Sequence, residues 1–239
     1  MSYANIIKDF NENGYSILNN IYVNNEVEHI LTCIENTEQN NNSFLKTRDL
    51  FAIRQLIINI PELKHLIFNS SLRELISNFS KSSYFLSKAI YFDKPSNSNW
   101  FVGYHQDLSI SVDKKLQLKG YKNWTYKKGQ YGVQPPVKIL EDTVTVRVHL
   151  DDTNENNGAL KVIPKSHLNG IIRAESEHWN IKNEYTCNVK RGGVMLMKPL
   201  TLHTSNRTTN GKKRRVIHLE FNHHKLVQPL KWLEYLSIN

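Results

Sequence analysis

Strict alternation of polar and apolar residues marks three segments in the second half of the chain. Successive side chains of a β-strand point to opposite faces, so each segment predicts a strand with two different faces. In YHQDLSISV, TVTVRVHLDD and RRVIHLEF the polar sets are His105, Asp107, Ser109 and Ser111; Thr145, Arg147, His149 and Asp151; and Arg214, His218 and Glu220. For any single strand, a sheet with one face in water is the simpler explanation. The sets are nevertheless rich in His, Arg and Asp and poor in Lys and Glu, which suits the inside of a barrel mouth.

The first 83 residues predict a mainly helical scaffold. Apolar residues recur there at helical spacing, for example at Val27, Ile30, Leu31 and Ile34. In SSLRELI, Ser71 and Glu74 predict a capping box before an apolar run. No Pro/Gly/Ser-rich linker divides the 239 residues, so we expect residues 1–239 to form one domain.

The formal net charge of +9 favours anionic partners. Part of the excess is local, because residues 113–128 carry six lysines and one acidic residue, interleaved with Tyr121, Trp124 and Tyr126. A solvated surface loop is one interpretation of this segment. A lid over an anionic substrate, spanning about 113–136, and a stacking surface for single-stranded nucleic acid are the others.

Several classes of protein are disfavoured by the sequence. Cys33 and Cys187 lie far apart and match neither a zinc spacing nor a disulfide framework. The opening MSYANIIKDFNENGYSIL lacks the features of a signal peptide, and no stretch has the length and hydropathy of a membrane span. We therefore expect a cytoplasmic protein that does not bind membranes. The chain also lacks the zinc-protease, P-loop and nucleophile-elbow motifs.

The tripeptide His105-Gln106-Asp107 directs an imidazole and a carboxylate into the same space. A third nitrogen donor would complete the two-histidine, one-carboxylate triad that holds Fe(II) with open coordination positions. By itself the tripeptide is weak evidence for a metal site, since a His and an Asp on a strand are commonly hydrogen-bonded partners. His203, with Ser205 two positions on and Arg214 eleven positions on, makes the pattern longer and more restrictive.

At these residues the sequence resembles the phytanoyl-CoA dioxygenase family of Fe(II)- and 2-oxoglutarate-dependent oxygenases. The resemblance runs from DFNENGYSILNNIY through YHQD and HLDDTNENNGALKVIPKSH to LHTS and RRVIHLEF, nearly the whole chain. It implies a double-stranded β-helix, a jelly roll, over residues 84–239, preceded by N-terminal α-helices.

The resemblance also implies roles for individual residues. His105, Asp107 and His203 would be the iron ligands. Arg214 would pair with the distal carboxylate of 2-oxoglutarate, with help from the hydroxyl of Ser205, because a guanidinium binds a carboxylate bidentately. O2 would be the second cosubstrate.

The roles of two arginines have alternative assignments. Arg215 is adjacent to Arg214, but strand parity places the two on opposite faces and favours Arg214 for the cavity. Arg147 occupies a position where the family often places a cosubstrate-contacting residue. The structural alternative for Arg147 is a buried ion pair with His149 or Asp151.

The implied reaction hydroxylates an unactivated C–H bond of a small metabolite and yields succinate and CO2. Candidate substrates are an organic acid, an amino acid, a carrier- or thioester-tethered acyl group or an intermediate of secondary metabolism. Asp107 separates this chain from related halogenases, which replace the carboxylate to make room for chloride. The alternatives are the same iron centre acting on a nucleic-acid base or protein side chain, and a non-catalytic jelly-roll binding protein. The resemblance does not select the substrate, the product type or the oligomeric state.

Overall fold

The computed structural model describes residues 3–37, 43–47, 51–79, 83–98, 100–172 and 183–238. Six α-helices lie within this part of the chain: α1 (Tyr3–Asn13), α2 (Asn24–Glu35), α3 (Leu56–Asn59), α4 (Leu63–Ile67), α5 (Ser70–Ser77) and α6 (Val137–Glu141). The strands of the N-terminal half are β1 (Tyr15–Leu18), β2 (Phe44–Lys46), β3 (Phe51–Arg54), β4 (Phe85–Lys94), β5 (Val102–His105) and β6 (Ile110–Val112). The remaining strands are β7 (Lys122–Lys127), β8 (Gln130–Gln134), β9 (Val144–His149), β10 (Leu160–Val162), β11 (Tyr185–Thr186), β12 (Val194–Met197), β13 (His203–Ser205), β14 (Arg214–Asn222) and β15 (Leu236–Ser237).

The N-terminal part of the chain is mainly helical, as expected, and it also contributes three strands. Strand β1 pairs with β12, and β3 pairs with β4 and β2 at the other side of the same sheet. These strands have three or four residues each, too few for periodicity to identify, and pairing with distant strands stabilises them. No helix in the described residues is long and apolar enough to cross a bilayer.

Helix α5 begins two residues earlier than the capping box predicted. Its N-cap is Asn69, whose side-chain oxygen accepts a hydrogen bond from the backbone N–H of Leu72 at 2.9 Å. Ser71 lies within the first turn of the helix. Asparagine caps a helix as well as serine does, so the predicted cap at Ser71 was wrong by two residues.

The main sheet has the strand order β1-β12-β9-β14-β4-β3-β2, with β15 also paired to β4, and every pairing is antiparallel. One face packs against the N-terminal helices through the apolar residues that alternation predicted. Its buried members include Val144, Val146, Val148, Leu150, Ile217, Leu219 and Phe221. The opposite face, with Arg147, Arg214, His218 and Glu220, borders a cavity.

A second sheet, of strand order β11-β10-β13-β5, contributes to the same cavity. Between the two sheets, Met195 and Met197 of β12 pack with Leu160, Val162 and Cys187 in a small apolar cluster. Two facing antiparallel sheets with preceding helices are the predicted architecture. The fold class, mainly β with N-terminal helices, is confirmed.

The predicted lid segment, about 113–136, forms a sheet together with β6, which precedes it. Strands β6, β8 and β7 pair antiparallel in that order, and we call this unit the insert sheet. Lys128 and Gly129 connect β7 to β8 and both have positive φ (54° and 76°), which matches a two-residue hairpin turn of type I′. One face of the insert sheet packs on a second apolar cluster that includes Val112, Tyr121, Val133, Leu140 and Trp232.

Candidate metal centre and cosubstrate cavity

A cavity of 590 Å³ lies between the main sheet, the second sheet and the insert sheet. Every site residue predicted from sequence lines it: His105, Asp107, Arg147, His203, Ser205 and Arg214. The three polar strand faces therefore converge on one space.

His105 and His203 are brought together by strand pairing. They are direct cross-strand partners in β5 and β13, and their ring centroids are 4.2 Å apart. YHQDLSISV is not one strand, because β5 ends at His105 and β6 begins at Ile110. Asp107 nevertheless faces the histidines, since its backbone N–H is held by the carbonyl of Pro199 at 2.9 Å.

Gln106, which lies between His105 and Asp107 in the sequence, binds neighbouring backbone groups through its side chain. Its amide nitrogen donates to the carbonyls of Leu200 and Gly170, and its oxygen accepts from the N–H of Ile172. These three bonds hold the turn in place after the strand has ended.

Both histidines present the same nitrogen to the cavity. Nδ1 of His105 donates to the carbonyl of Gly103, and Nδ1 of His203 donates to the carbonyl of Thr201, each at 2.9 Å. A carbonyl can only accept, so Nδ1 carries the proton and the lone pair is on Nε2. Such a bond fixes the tautomer of a metal-binding histidine before the metal arrives.

The Asp107 carboxylate lies between the two Nε2 atoms. It is 3.8 Å from Nε2 of His105 and 3.8 Å from Nε2 of His203, beyond hydrogen-bonding distance in both cases. The three ligand atoms lie within 4.8 Å of one another. Two neutral imidazoles and one carboxylate are a donor set that suits a divalent transition metal such as Fe(II).

The charge states of Asp107 and His203 also suit metal binding. Burial opposes ionisation of Asp107, but the imidazoles of His203, His218 and His105 and the Lys88 ammonium group outweigh it and lower its pKa to about 2. Burial lowers the pKa of His203 to about 4, although Asp107 opposes this shift. At neutral pH the carboxylate is ionised and His203 is neutral, the forms that bind metal.

A second cluster of metal-ligand types, Asp142, His223 and His224, has a different geometry. The two imidazole rings are stacked, with centroids 4.4 Å apart and planes inclined by 28°, so their in-plane lone pairs do not converge on one point. Asp142 is also engaged, by Nε2 of His224 at 2.7 Å and by the Lys138 ammonium group at 3.0 Å. This cluster is a hydrogen-bonded ion network at the surface.

Arg214 is buried at the cavity wall, and no carboxylate pairs with it among the described residues. It donates from Nη1 to the carbonyl of Gly158, and its buried Nε has no hydrogen-bond partner. The Ser205 hydroxyl donates to the same carbonyl at 3.1 Å. Burial, reinforced by the charge of Arg147, lowers the pKa of Arg214 to about 9. A buried guanidinium without an anion is a receptor for one.

Arg215 faces the opposite side of the sheet. Its Nε and Nη2 bind the two carboxylate oxygens of Asp151 at 2.9 and 2.7 Å, and Nη1 lies 3.3 Å from Glu35 of α2. Parity therefore separates Arg214 from Arg215 as predicted. The predicted direction of Asp151 is wrong, because β9 ends at His149 and alternation does not extend to residue 151.

Arg147 is buried and contacts neither of the ion-pair partners considered for it. Its Nη1 donates to Nδ1 of His218 at 3.1 Å, and Nε2 of His218 donates to Glu220 at 3.0 Å. Lys88 completes the chain with an ion pair to Glu220 at 2.7 Å. This network holds Arg147 and His218 against the cavity.

Three cationic residues around the site were not predicted from the sequence. Lys94 is 1% exposed, is paired in register with Arg214, and donates to the carbonyl of Asn206. Burial, with the charge of Arg214, lowers its pKa to about 8. Arg54 and Lys88 line the cavity from β3 and β4. Lysines at even-numbered positions of the mainly apolar FLSKAIYFDK were the signal that could have indicated two of them.

The family profile described as phytanoyl-CoA dioxygenase (PhyH) matches residues 10–216, most of the chain. This chain belongs to the phytanoyl-CoA dioxygenase family. The match spans all three candidate metal ligands, Ser205 and Arg214. Comparison with curated protein sequences gives no match.

Solved structures share the fold at low sequence identity. The non-heme α-ketoglutarate-dependent epimerase SnoN from nogalamycin biosynthesis superposes with a TM-score of 0.69 at 13% identity, over 92% of this chain and 82% of SnoN. The carbocyclase SnoK from the same biosynthesis gives 0.65 at 14%, over 93% and 84%. HygX from Streptomyces hygroscopicus, with nickel and 2-oxoglutarate bound, gives 0.67 at 16%, over 94% and 88%. These likenesses confirm the jelly-roll fold.

Proposed function

We propose that this protein is an Fe(II)- and 2-oxoglutarate-dependent dioxygenase that hydroxylates a C–H bond of a small metabolite. The observation that carries the proposal is the convergence, in one cavity, of a preformed two-histidine, one-carboxylate set and a buried arginine without a counterion. HygX and SnoN have been solved with 2-oxoglutarate or α-ketoglutarate and a metal ion bound, which supports the same cofactors here.

His105, Asp107 and His203 would hold the iron through Nε2, a carboxylate oxygen and Nε2. When bound, the iron and 2-oxoglutarate supply the oxidation: O2 and 2-oxoglutarate become succinate and CO2, and one oxygen atom enters the substrate C–H bond. The backbone carbonyls of Gly103 and Thr201 keep the two imidazoles oriented. The protein's part is to position and enclose the reactants.

Arg214 and Ser205 would bind the distal carboxylate of 2-oxoglutarate. The Nε of Arg214 is unpaired, and the Ser205 hydroxyl, which donates to Gly158 here, can turn toward a stronger acceptor. Arg147 is held by His218 within the cavity and adds a second positive charge. We assign it to the cosubstrate or to the substrate carboxylate nearest the metal.

Cations at the cavity support an anionic substrate. Arg54 is half-buried, its Nε has no hydrogen-bond partner among the described residues, and burial lowers its pKa. It lies on a cross-strand row with Ile90, His218 and Arg147, so two strand spacings, about 10 Å, separate it from His218. Lys127 lines the cavity from the insert sheet. A substrate bound next to the metal would place its carboxylate or phosphate group against Arg54 and Lys127.

The presence of Asp107 favours hydroxylation over halogenation, because a complete carboxylate ligand leaves no place for a halide. The structural neighbours include an epimerase and a carbocyclase, so the fold accommodates other outcomes. HygX has been solved with hygromycin B and SnoN with nogalamycin RO, both small molecules. These neighbours support a secondary metabolite as substrate.

The nucleic-acid alternative loses most of its basis in the structure. Tyr121 is buried and Trp124 packs against the apolar cluster beneath the insert sheet, so neither can stack on a base. Tyr126 is exposed, and its ring lies 4.7 Å from that of Tyr131. Of the six lysines in residues 113–128, only Lys127 lines the cavity.

The test is optical titration of the purified apoprotein without oxygen, first with Fe(II) and then with 2-oxoglutarate. We expect a visible metal-to-ligand charge-transfer band in the parent protein and its loss or strong reduction in Asp107→Ala. In Arg214→Ala the band should appear only at much higher 2-oxoglutarate concentration. Succinate release on admitting oxygen provides the second readout.

Arg215→Ala is the matched control, because it removes a guanidinium that binds Asp151 and Glu35 on the opposite face. We expect it to retain the band at the parent's 2-oxoglutarate concentration. Absence of any band in folded, iron-loaded parent protein would contradict the proposal and favour a non-catalytic binding protein.

A further inference from the structure

The insert sheet presents a polar face to the cavity. Along its three strands the cavity-lining positions carry hydroxyl and amide groups and one lysine. They are Ser109, Ser111, Asn123, Thr125, Lys127, Gln130 and Gln134, with Gly132 at the centre. None of them is a carboxylate.

Hydrogen-bonding capacity on this face is largely unused. Asn123 donates to Gln134 at 2.7 Å, which leaves the Gln134 amide nitrogen and the Asn123 oxygen without a partner in the described residues. The hydroxyl of Thr125 and the amide of Gln130 likewise have no side-chain hydrogen bond there. Ser111 is 4% exposed, and its hydroxyl is also unbonded among the described residues. These groups can therefore hydrogen-bond to a polar ligand in the cavity.

Asn123, Thr125 and Lys127 are exposed, so contact with water explains part of the polarity. Ser111 and Gln134 are each only 4% exposed and still line the cavity. An amphipathic antiparallel sheet usually turns its polar face to water and its apolar face to the core. The apolar face of the insert sheet is buried on its cluster, with Val133 at its centre, but the polar face lies across the cavity from Phe92 and the metal site.

The centre of the face carries no side chain. Gly132 pairs with Ser111 on one side and Thr125 on the other. A Cβ at residue 132 would lie 2.7 Å from the Thr125 hydroxyl and 2.8 Å from the Ser109 hydroxyl. The two hydroxyls therefore lie close together over Gly132, where any larger residue would displace them.

Part of the cavity wall outside the insert sheet is apolar. Ile90 and Phe92 of β4, Trp100, Val102 and Leu160 face the space from the two jelly-roll sheets. A ligand between these walls would meet a flat apolar surface on one side and hydrogen-bonding groups on the other. Ring systems that carry hydroxyl groups at their edges match both surfaces.

We propose that the substrate is a hydroxyl-rich ring compound, such as a sugar, a cyclitol or a glycosylated metabolite, whose hydroxyl groups bind the insert sheet. The inference rests on the proposed function and narrows its substrate class. A plain acyl chain would leave the hydroxyls of Ser111 and Thr125 and the amide of Gln134 desolvated without partners, which disfavours it. An acidic sugar would in addition reach Arg54 or Lys127.

Ligand binding to the full-length protein loaded with Ni(II) and 2-oxoglutarate tests this, because nickel prevents turnover. Saturation-transfer NMR would compare methyl glucoside, glucuronate and hygromycin B with octanoate and the N-acetylcysteamine thioester of octanoate. We expect the hydroxylated probes to bind and the acyl probes not to displace them. Thr125→Val and Ser111→Ala should each weaken binding by about three- to tenfold, the effect of one neutral hydrogen bond.

Thr186→Val is the matched control, since Thr186 of β11 lies outside the cavity. It should bind the probes as the parent does. Tighter binding of the acyl probes, unchanged binding in both wall variants, or no binding of any hydroxylated probe would each overturn the inference. The charge-transfer band of the same preparation, loaded instead with Fe(II), separates the cases: a band with a failed probe panel rejects only the substrate class.

Discussion

At the scale of single residues, Glu234 shows how burial changes the ionisation of a carboxyl group. It is 4% exposed, one carboxylate oxygen accepts from the N–H of Ala89 at 3.1 Å, and the other has no partner. Burial, with the nearby charge of Glu220, raises its pKa to about 7 against the opposing effects of Ala89 and Lys88. An unfolded glutamate releases its proton near pH 4.5. Between pH 4.5 and 7 the folded state therefore binds more protons, and the free energy of unfolding falls as pH rises.

Glu234→Gln is expected to remove this dependence. The amide oxygen can still accept from Ala89, and no proton is released in the window. At pH 8 we expect the variant to be more stable than the parent by on the order of 2–3 kcal/mol, and the difference should vanish near pH 4. Urea unfolding at the two pH values measures it, with the exposed Glu12→Gln as control. Parallel pH profiles in the parent and Glu234→Gln would contradict the assignment.

Gly158 is the residue on which the Arg214 end of the cavity is built. Its carbonyl accepts from Arg214 and Ser205, and its φ is +81°. A Cβ there would lie 2.7 Å from both the carbonyl oxygen of Asn206 and Nζ of Lys94. Glycine is needed for the backbone conformation and for the close approach.

Gly158→Ala is therefore expected to weaken 2-oxoglutarate binding at least tenfold and to lower Tm. Gly211→Ala separates the two causes, because Gly211 also has positive φ (67°) but has no atom within 4 Å of its would-be Cβ. That control should lose only the backbone contribution of about 1 kcal/mol and bind 2-oxoglutarate normally. Equal affinities in the two variants would show that the contacts of Gly158 do not shape the cosubstrate site. Titration of the charge-transfer band measures both.

At the scale of elements, helix α5 depends on a cap that the sequence misplaced by two residues. Asn69 accepts from Leu72, and its amide group also donates to the carbonyl of Ile21 and to Glu26. Asn69→Ala should cost about 1–2 kcal/mol, or about 3–6 °C in Tm. Ser71→Ala should stay within about 0.5 kcal/mol. Thermal unfolding that ranks the two variants in the reverse order would restore Ser71 as the cap.

At the scale of the whole molecule, the cavity links ligand binding to folding. The main sheet, second sheet and insert sheet each contribute residues to it, so the complete site exists only in the folded state. Ni(II) and then 2-oxoglutarate, each at about 100 times its dissociation constant, should each add about 2.7 kcal/mol and about 5–10 °C in Tm.

Arg214→Ala should retain the increment from nickel and lose most of the increment from 2-oxoglutarate. Asp107→Ala should lose most of both, since the cosubstrate would chelate the metal. Differential scanning fluorimetry under nitrogen distinguishes these patterns. If Arg214→Ala kept the full increment from 2-oxoglutarate, other cations would bind the carboxylate, and Lys94 and Arg147 would be the first candidates.

The amino-acid sequence by itself determined the β class of the fold, the family and the partition of side chains between the two faces of each strand. Arg214 and Arg215 fell on opposite faces as expected, and His105, Asp107 and His203 met in one cavity. These predictions succeeded because alternation is a local property: the backbone sends successive side chains to opposite sides whatever the rest of the chain does. Local reasoning failed where a strand ended, as it did for Asp151.

Only the tertiary structure decided which groups share the cavity and what they lack. The pairing of His105 with His203, the burial of Lys94 beside Arg214 and the unused hydrogen-bonding groups of the insert sheet all join residues distant in sequence. The structure also changes the interpretation of the basic segment. Tyr121 and Trp124 pack inward against the apolar cluster, and polar side chains of the segment face the cavity. Burial and strand register depend on which partner strand lies alongside, and that information is absent from any local pattern of residues.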